Sequence, residues 1–332
     1  MEALNRRYTF RANEFRSDFE IDRFAAFGQT ETFFGGSNTL TLGLRFERHD
    51  ANYRDGDGVA FEPTDHLWGG RIAVDRMLGA DTMIYASLAR GYKAGGFNAD
   101  GSLPSDLRQY DPESLYNFEL GVKGSWSDDR LVARAALFHM WRDDMQVATS
   151  IVRVRPDGSS EFIEFTGNAS SGRNYGVEVE FEWQATDRLA AFGSVGLLES
   201  EYENFTNVAG RSLDGRAQTH APRYQAYVGA QYAVVDGFYV RAELEAKDSF
   251  YFSDSNDESS SAYELVHVSA GYEAQRWSVD LWARNVTDVD YEVRGYYFGN
   301  DPRLDYAARG YTQLGEPRRV GATLQWKLAG PG

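Results

Sequence analysis

Apolar and polar residues alternate along most of this chain. In segment 175–184, tyrosine, valine, phenylalanine and tryptophan occupy the odd positions, while glutamate occupies most of the even ones. Segments 116–126, 238–247 and 319–328 repeat this two-residue period. Because successive side chains of a strand point to opposite faces, the period predicts β-strands with one apolar and one polar face. A helical period of about 3.6 residues would spread the charges around the axis, so helices are excluded here.

The alternation predicts about fourteen strands. They lie near 6–16, 20–34, 38–54, 67–78, 82–93, 114–126, 130–149, 172–185, 188–204, 222–235, 238–253, 261–274, 276–288 and 316–328. The pattern is least regular in the first of them. Several exceed the ~9–11 residues that a tilted strand needs to cross a bilayer, so we expect these strands to continue beyond the membrane.

The connections between the predicted strands are short and long in turn. The short ones are FGGSN after Phe33 and the segments 78–81, 127–129, 185–187, 235–237 and 274–275. The long ones are roughly 55–66, 94–113, 150–171, 205–221, 254–260 and 289–315. Bacterial outer-membrane barrels have tight periplasmic turns at one rim and long extracellular loops at the other. The sequence therefore predicts an all-β, antiparallel transmembrane β-barrel, or part of one, organised as a single unit over 1–332.

Two soluble architectures also contain alternating strands. A soluble antiparallel sheet must cover its apolar face with a second sheet or a helical layer, and no segment has the pattern of such a helix. A sandwich or propeller has no reason to sort its connections by length. A repeat protein would show a fixed period of about 20–50 residues, which the sequence lacks. The membrane barrel is therefore the preferred interpretation.

Composition narrows the functional classes. The 332 residues carry 34 Lys and Arg against 50 Asp and Glu, a formal net charge of −16, which argues against a nucleic-acid partner. Cysteine is absent, so a disulfide, a thiolate metal site and a cysteine nucleophile are excluded. The five histidines are scattered without metal-ligand spacing. No apolar run is long enough for a transmembrane helix, and the first residues lack a signal-peptide core.

Eight stretches of the chain resemble a known family. In order they are AAFGQTETF (25–33), LTLGLRFER (40–48), IYASLARGYKAGGFN (84–98), DPESLYNFELGVKGSW (111–126), DRLVARAALFHMWRDDMQV (129–147), NYGVEVEFEW (174–183), LWARNVTDVDYE (281–292) and GEPRRVGATLQWKL (315–328). Together they cover most of the sequence from about residue 20. The chain resembles the C-terminal barrel of TonB-dependent outer-membrane receptors of the siderophore-receptor type.

This resemblance implies a function and a set of partners. Such receptors have a barrel of about 22 strands filled by an N-terminal plug, and this chain would supply about the last fourteen strands. It implies uptake of a bulky nutrient, most simply a ferric siderophore, with no cofactor and no enzymatic activity. The implied partners are outer-membrane lipid, the outer-membrane assembly machinery and, only through a plug region that this sequence lacks, TonB. Both chain ends would lie at the periplasmic rim. A passive porin-like channel and a non-functional receptor fragment stay open as alternatives.

Two clusters are candidates for substrate binding. Arg90, Tyr92 and Lys93 lie where a strand enters a long loop, and could hold an anionic or catecholate chelate by charge-assisted hydrogen bonds and cation–π contacts. The alternative is that Gly95 and Gly96 only allow the strand to bend. The last long loop gathers aromatic and basic residues: Arg294, Tyr296, Tyr297, Phe298 and Arg303. Its alternative is an aromatic girdle at the membrane surface.

The remaining polar residues predict no catalytic or metal site. Glutamates that share one strand face, such as Glu178, Glu180 and Glu182, are typical of a water-filled or plugged lumen. The acidic run 253–261 lacks the spacing of a calcium loop and is interpreted as solvated, with weak calcium binding left open.

The chain ends predict an incomplete barrel. Fourteen strands would close only if strand 6–16 paired with strand 316–328, and otherwise both are free edges. Strand 6–16 places Arg11 and Arg16 on opposite faces, so one of them would face lipid. The last strand runs to Leu328 with Trp326 near its end, where such barrels usually finish on an aromatic residue. We expect the isolated chain to form an incomplete or strained barrel and to insert poorly.

Overall fold

The structure is a computed structural model that describes residues 15–327 except Asp157, Val208 and Asn300. Within that part of the chain, every regular element is a β-strand apart from two single 3₁₀ turns, Ser105–Leu107 and Pro302–Leu304. None of the helical segments described is long and apolar enough to cross a membrane. The predicted strand 6–16 falls almost wholly outside the described residues, so its pairing stays a prediction.

The described residues form eighteen strands. They are β1 (Ser17–Phe34), β2 (Asn38–Asp55), β3 (Ala60–Phe61), β4 (Thr64–Leu78), β5 (Thr82–Lys93), β6 (Gly96–Phe97), β7 (Gln109–Tyr110), β8 (Glu113–Trp126), β9 (Leu131–Val154), β10 (Ser160–Gln184), β11 (Leu189–Glu203), β12 (Tyr224–Val235), β13 (Phe238–Lys247), β14 (Tyr263–Glu273), β15 (Trp277–Arg284), β16 (Glu292–Phe298), β17 (Arg309–Leu314) and β18 (Arg319–Trp326).

One antiparallel sheet contains most of these strands. Its order is β1-β2-β4-β5-β8-β9-β10-β11-β12-β13-β14-β15-β18, and β3 adds a short pair to β2. The sheet ends at β1 and β18, and two small hairpins, β6–β7 and β16–β17, lie apart from it. Consecutive sheet strands are joined by short turns at one edge, the short-turn rim, and by longer segments at the other, the long-loop rim, except that only residues 155–159 join β9 to β10 at the long-loop rim. The predicted alternation of short and long connections is confirmed.

Four segments differ from the prediction. The segment 150–171 is not a loop, because β9 and β10 continue through it as a paired hairpin that turns only between Val154 and Ser160. The predicted strands 238–253 and 276–288 are too long. Strand β13 ends at Lys247, and β15 ends at Arg284, where Asn285 adopts a φ of 48° that an extended strand does not allow. The predicted loop 289–315 contains the β16–β17 hairpin.

The sheet has an apolar face and a polar face, as the alternation predicts. Large side chains on the apolar face are exposed, including Phe46, Leu120, Leu281 and Leu324. Polar-face residues of β5 and β8 line the same cavity, of about 630 Å³, as those of β12 and β13. Strands so far apart in the order can share a cavity only if the sheet curves, so the polar face is concave and the apolar face convex.

Aromatic rings on the polar face lie over glycines of the neighbouring strand. A Cβ atom added to Gly121 would lie 2.3 Å from the Tyr85 ring, and one added to Gly321 would lie 2.3 Å from the Trp282 ring. The polar ends of these rings are bonded further along: the Tyr85 hydroxyl donates to Glu119 at 2.6 Å, and Trp282 Nε1 donates to Thr323 at 3.2 Å. The same covering occurs between Phe192 and Gly229 and between Tyr239 and Gly271.

We expect Gly121→Ala to destabilise the sheet by about 1–3 kcal/mol, because the new methyl group would force the Tyr85 ring away from its seat. Gly196→Ala is the matched control, since nothing lies within 4 Å of the Cβ position of this strand glycine. The midpoint of denaturant unfolding, followed by tryptophan fluorescence in detergent, would measure both. Equal midpoints for the two variants would contradict the role of the covered glycine.

Candidate functional site

The hairpin of β9 and β10 rises beyond the rest of the sheet at the long-loop rim. Its strands change phase at Asp144, whose φ of 52° is in the left-handed region. Towards the short-turn rim, odd positions of β9 such as Leu137 and Trp141 belong to the exposed apolar face. On the other side of Asp144, Met145 has the same parity but is buried. Because of this irregularity, the apolar side chains of the hairpin beyond Asp144 pack under the neighbouring loops.

Two hydrophobic cores flank the raised hairpin. The first contains Met145, Ala169, Tyr202, Phe205 and Leu213. The second contains Leu103, Ile163 and Phe165, with Leu107 and Ile151 packed against it. The loops 94–112 and 204–223 are therefore packed on opposite parts of one hairpin, and they form a structured cap at the long-loop rim.

Three side-chain amides fix the loop 94–112 to this hairpin. Asn98 makes a reciprocal pair with the Thr166 backbone, with both distances 2.8 Å. Gln146 Nε2 donates to the Asp111 carbonyl at 3.0 Å. Asn168 Oδ1 accepts from the Asp111 amide at 2.8 Å, and its Nδ2 donates to the same residue's carbonyl at 3.1 Å. A side-chain amide that donates to one backbone group and accepts from another makes the two hydrogen bonds that a neighbouring strand would otherwise make.

A buried arginine fixes the same loop to β2. The Arg108 side chain is 6% exposed and forms ion pairs with Asp55, which is fully buried, and with Asp57 at 3.1 Å. It also donates to the carbonyls of Leu103 at 3.1 Å and Gly101 at 2.8 Å. Burial disfavours the charged form, but the hydrogen bonds to Asp57 and Asp55 outweigh burial and raise the pKa of Arg108.

Beneath this cap, the polar faces of β1, β2, β4 and β5 enclose a cavity of about 1020 Å³, the upper cavity. The basic side chains that border it are Arg23, Arg45, Arg71 and Lys93, against one carboxylate, Glu47. Phe97 lies at its mouth, with ring centroids 5.6 Å from Phe19 and 5.0 Å from Tyr53. A chain of net charge −16 thus presents a basic, aromatic-edged cavity at this rim.

The arginines of the upper cavity differ in their partners. Arg45 pairs with Glu47 at 2.5 Å, and its Nε donates to the Tyr92 hydroxyl at 2.9 Å. Arg23 Nε donates to His49 Nδ1 at 3.1 Å. In the part of the chain that the structure describes, neither Arg23 nor Arg71 has a carboxylate partner. These two guanidinium groups keep donors for an anion that enters the cavity.

The structure separates the three residues predicted on β5. Tyr92 faces the upper cavity, where its hydroxyl donates to Glu47 at 3.0 Å. Lys93 borders the same cavity, and its Nζ lies 3.8 Å from Glu113. Arg90 also borders it, but its guanidinium lies on the apolar face, 4.3 Å from the Trp68 ring centroid and hydrogen-bonded to the Tyr116 hydroxyl. Substrate binding by these residues stays a prediction.

The residues predicted in the last long loop lie on and beside β16. The Phe298 ring packs 5.3 Å from Phe162 of the raised hairpin, so it joins this loop to the cap. Tyr296 and Tyr297 are 42% and 40% exposed, and Arg294 lies 5.2 Å from the Tyr296 ring. Arg303 binds Asp301 through two hydrogen bonds of 2.9 and 2.8 Å. These bonds, with the Arg303 backbone amide, lower the pKa of Asp301.

Arg294 belongs to a second basic group at this rim, with His220 and Lys247. The pKa of His220 is lowered, first by its partial burial against Phe250 and then by the charges of Lys247 and Arg294. His220 is therefore neutral at neutral pH, and the positive charge comes from the other two residues. In the described residues, no hydrogen bond, ion pair or ring contact joins this group to Tyr92 or Lys93.

The acidic run 253–261 is only partly solvated, so that prediction is wrong for its first half. Asp254 is 2% exposed, and its Oδ1 accepts from Thr149 at 3.1 Å. Asp257 pairs with Arg211 at 2.5 Å, and this bond, followed by the charges of Arg211 and Arg216, lowers the pKa of Asp257. Among the described residues, no group of three or more His, Cys, Asp or Glu could hold a metal ion.

Sequence reasoning missed Arg23, Arg45 and Arg71. Alternation marks Arg45 and Arg71 as polar-face residues, but it does not mark Arg23, which shares its face of β1 with apolar residues such as Ile21 and Phe27. The sequence does not show which strands pair, and the pairing is what brings β1, β2, β4 and β5 side by side. The amide contacts of Asn98, Gln146 and Asn168 had no sequence signal that distinguishes them from other loop amides.

The chain is similar to known receptors over most of its length. The family model described as "TonB dependent receptor-like, beta-barrel" matches residues 3–286. The pesticin receptor of Yersinia pestis is 25% identical over 236 residues, which are 70% of this chain and 33% of that protein. The metal-pseudopaline receptor CntO of Pseudomonas aeruginosa (strain UCBPP-PA14) is 24% identical over 298 residues, 85% of this chain and 39% of that one. The chain thus spans less than half the length of these two relatives.

Solved structures show the same fold. The ferric yersiniabactin uptake receptor FyuA of Yersinia pestis aligns with a TM-score of 0.75 at 20% identity, over 93% of this chain and 46% of that one. The siderophore receptor PiuA of Acinetobacter baumannii aligns with a TM-score of 0.73 at 19% identity, over 93% and 43%. The curved sheet described above therefore has the fold of an outer-membrane barrel wall.

We expect Asn168→Ala to loosen the cap without unfolding the sheet, because it removes two bonds that hold the Asp111 backbone. The local cost is about 1–3 kcal/mol for backbone groups left unpaired. Hydrogen exchange within 94–112 should become faster, and limited proteolysis should cut there first. Asn117→Ala is the control, since the Asn117 amide donates only one long bond of 3.4 Å to Glu119. Unchanged exchange in Asn168→Ala would contradict the assignment.

Proposed function

Because the chain belongs to the TonB-dependent receptor-like β-barrel family, we propose that it forms the barrel wall and outer loops of a receptor that takes up an anionic metal chelate, most simply a ferric siderophore. The members it resembles are receptors, for pesticin, for metal-pseudopaline and for ferric yersiniabactin, and not enzymes. In this proposal the apolar face contacts lipid and the concave polar face lines the lumen.

The upper cavity is the observation that carries the proposal. Arg23 and Arg71 offer donors without a carboxylate partner in the described residues, and the Phe97 cluster provides flat apolar surface beside them. A ferric siderophore with anionic and aromatic groups needs both kinds of contact. Lys93 and Tyr92 extend the same border, so these two predicted residues remain candidates. The Arg294 and Lys247 group lies elsewhere at the rim and would meet the substrate earlier.

The polar face also suits a partner inside the barrel. Glu178, Glu180 and Glu182 follow one another on the polar side of β10, and within the described residues only Glu180 has an ion pair, with Arg134 at 3.0 Å. Unpaired carboxylates on a concave wall favour a basic surface opposite them. We propose that a plug domain provides this surface, and that TonB acts through the plug to couple uptake to energy.

The two rims support a proposed orientation in the membrane. The long-loop rim, with its packed cap, faces the outside, and the short-turn rim faces the periplasm. Strand β18 runs towards the short-turn rim, so the chain leaves the barrel on the periplasmic side. Trp326 is the last residue of β18 and is exposed, so the assembly machinery would meet an aromatic residue there.

Arg71→Gln tests the proposal. It removes a charge from the upper cavity without breaking an ion pair of the described residues, so the affinity for an anionic ferric siderophore should fall by about tenfold. Fluorescence quenching of the purified full-length protein by ferric catecholate, hydroxamate and citrate complexes would measure it. Arg130→Gln, in an ion pair with Asp187 at the short-turn rim, is the matched control. Loss of affinity in the control alone, or in neither variant, would contradict the proposed site.

A further inference from the structure

The second basic group, formed by His220, Lys247 and Arg294, has no acidic partner in the part of the chain that the structure describes. The Lys247 Nζ lies 4.7 Å from the centroid of the Phe250 ring, and the His220 ring lies 5.2 Å from the same centroid. The Arg294 guanidinium lies 5.2 Å from the Tyr296 ring. These ring contacts occupy no N–H donor, so both cations keep their donors for a ligand. His220 and Arg294 are exposed, so a dissolved molecule can reach them.

Two phenylalanine rings hold together the segments that carry this group. Lys247 is the last residue of β13, and Arg294 lies on β16. The rings of Phe250 and Phe252, in the loop between β13 and β14, pack edge to face at 5.6 Å. Gly295 lies against the second ring, because a Cβ atom added to it would be 2.1 Å from Phe252. The β16–β17 hairpin is therefore seated on this loop, which places its arginine near the histidine and the lysine.

The carboxylates that are close along the chain have other partners. Asp248 accepts from the next backbone amide at 2.8 Å, and Glu292 accepts from the Ser261 amide at 2.9 Å. The Glu245 carboxylate lies 3.9 Å from His267 Nε2. The chain has 50 acidic residues against 34 basic ones, yet none of the described acids neutralises this group. Neighbouring cations without a counter-charge attract an anion from solution.

The backbone of His220 is held in an unfavourable conformation. Its φ of 55° lies in the left-handed region, which glycine adopts more readily than histidine. The His220 amide donates to the Tyr251 carbonyl at 3.0 Å, which fixes this conformation against the loop between β13 and β14. Strained residues of this kind are frequent at binding sites, where the surroundings hold a side chain in one place.

The surroundings of His220 link an anion to a proton. The charged groups that face it are Lys247 of β13 and Arg294 of β16, and from the loop between β13 and β14 it meets the Phe250 ring and the Phe252 backbone. Burial lowers the pKa of His220, and the two cations lower it further. An anion between the cations would cancel their repulsion of a protonated imidazole, so the histidine would become a third donor.

We propose that His220, Lys247 and Arg294 bind a doubly charged oxyanion group of the arriving chelate, and that His220 takes up one proton from water as the anion binds. The complex then holds one proton more than the free protein, so the affinity rises as the pH falls. The rise begins near the pKa of His220 in the complex and ends below its pKa in the free protein. The chelate as the source of the anion rests on the proposed function, whereas the anion site does not.

Histidine NMR signals of the full-length protein in detergent test the site, because this chain has five histidines and His220→Gln identifies the signal in question. Sulfate is the probe, since it stays a dianion while histidine titrates. Saturating sulfate should raise the pKa of His220, and its affinity should fall by up to about tenfold for each unit of rising pH. Lys247→Gln should weaken sulfate binding by about tenfold. Arg54→Gln is the matched control, because Arg54 forms an exposed ion pair with Glu62 at the same rim.

Two gallium complexes, which are diamagnetic stand-ins for ferric ones, identify the source of the anion. Anionic gallium citrate should shift the His220 signal with the same pH dependence as sulfate, and a neutral gallium hydroxamate complex should not. His49 reports on the upper cavity, because its Nδ1 accepts from Arg23 at 3.1 Å. Arg71→Gln should reduce the response of His49 to gallium citrate and leave that of His220 unchanged.

A pKa of His220 that does not move in saturating sulfate, or equal sulfate affinities for Lys247→Gln and the wild type, would overturn the anion site. A His220 signal that responds to sulfate but not to gallium citrate would overturn the chelate as its source. A His49 signal that ignores gallium citrate while His220 responds would count against the upper cavity as the uptake site and support this one. The two proposals therefore fail separately.

Discussion

The whole structure depends on one constraint, which is that the two faces of every strand meet different surroundings and the backbone ladder must keep them in phase. A slip of one residue would move a row such as Leu42, Leu44 and Phe46 to the concave face and its charged neighbours to the convex one. The rings that cover glycines oppose such a slip. A slip of one residue would place Leu120 or Val122 opposite Tyr85, and their side chains would occupy the space of the ring.

At the cap of the long-loop rim, this constraint no longer applies to the raised hairpin. The change of phase at Asp144 releases β9 and β10 from the need to face lipid, and their apolar residues become the floor of a core for two loops. The amides of Asn98 and Asn168 then replace the ladder that the loops lack. A rigid wall and an ordered cap therefore arise from one pair of strands, without a separate domain.

The alternation predicted the strands of the large sheet, because a strand with one apolar and one polar face has a clear two-residue period. It failed at 150–171, where Ile151 and Val152 are neighbours and both are apolar. The structure shows why: Ile151 packs against the core under the loop 94–112, and Val152 lies on the other side, paired with Phe162, whose ring contacts Phe298. A strand with apolar residues on both faces loses its two-residue period, and from sequence alone it resembles a loop. The contacts that hold this segment as a strand come from residues far along the chain.

The candidate residues show the limit of reasoning from residue type. Arg90, Tyr92 and Lys93 form one basic and aromatic motif, and nothing in their chemistry separates them. The contacts of the side chains do, since the Arg90 guanidinium bonds the Tyr116 hydroxyl and lies over the Trp68 ring, while the Tyr92 hydroxyl bonds Arg45 and Glu47. Two residues of one short motif thus have different partners, and residue type alone does not predict which partner each one meets.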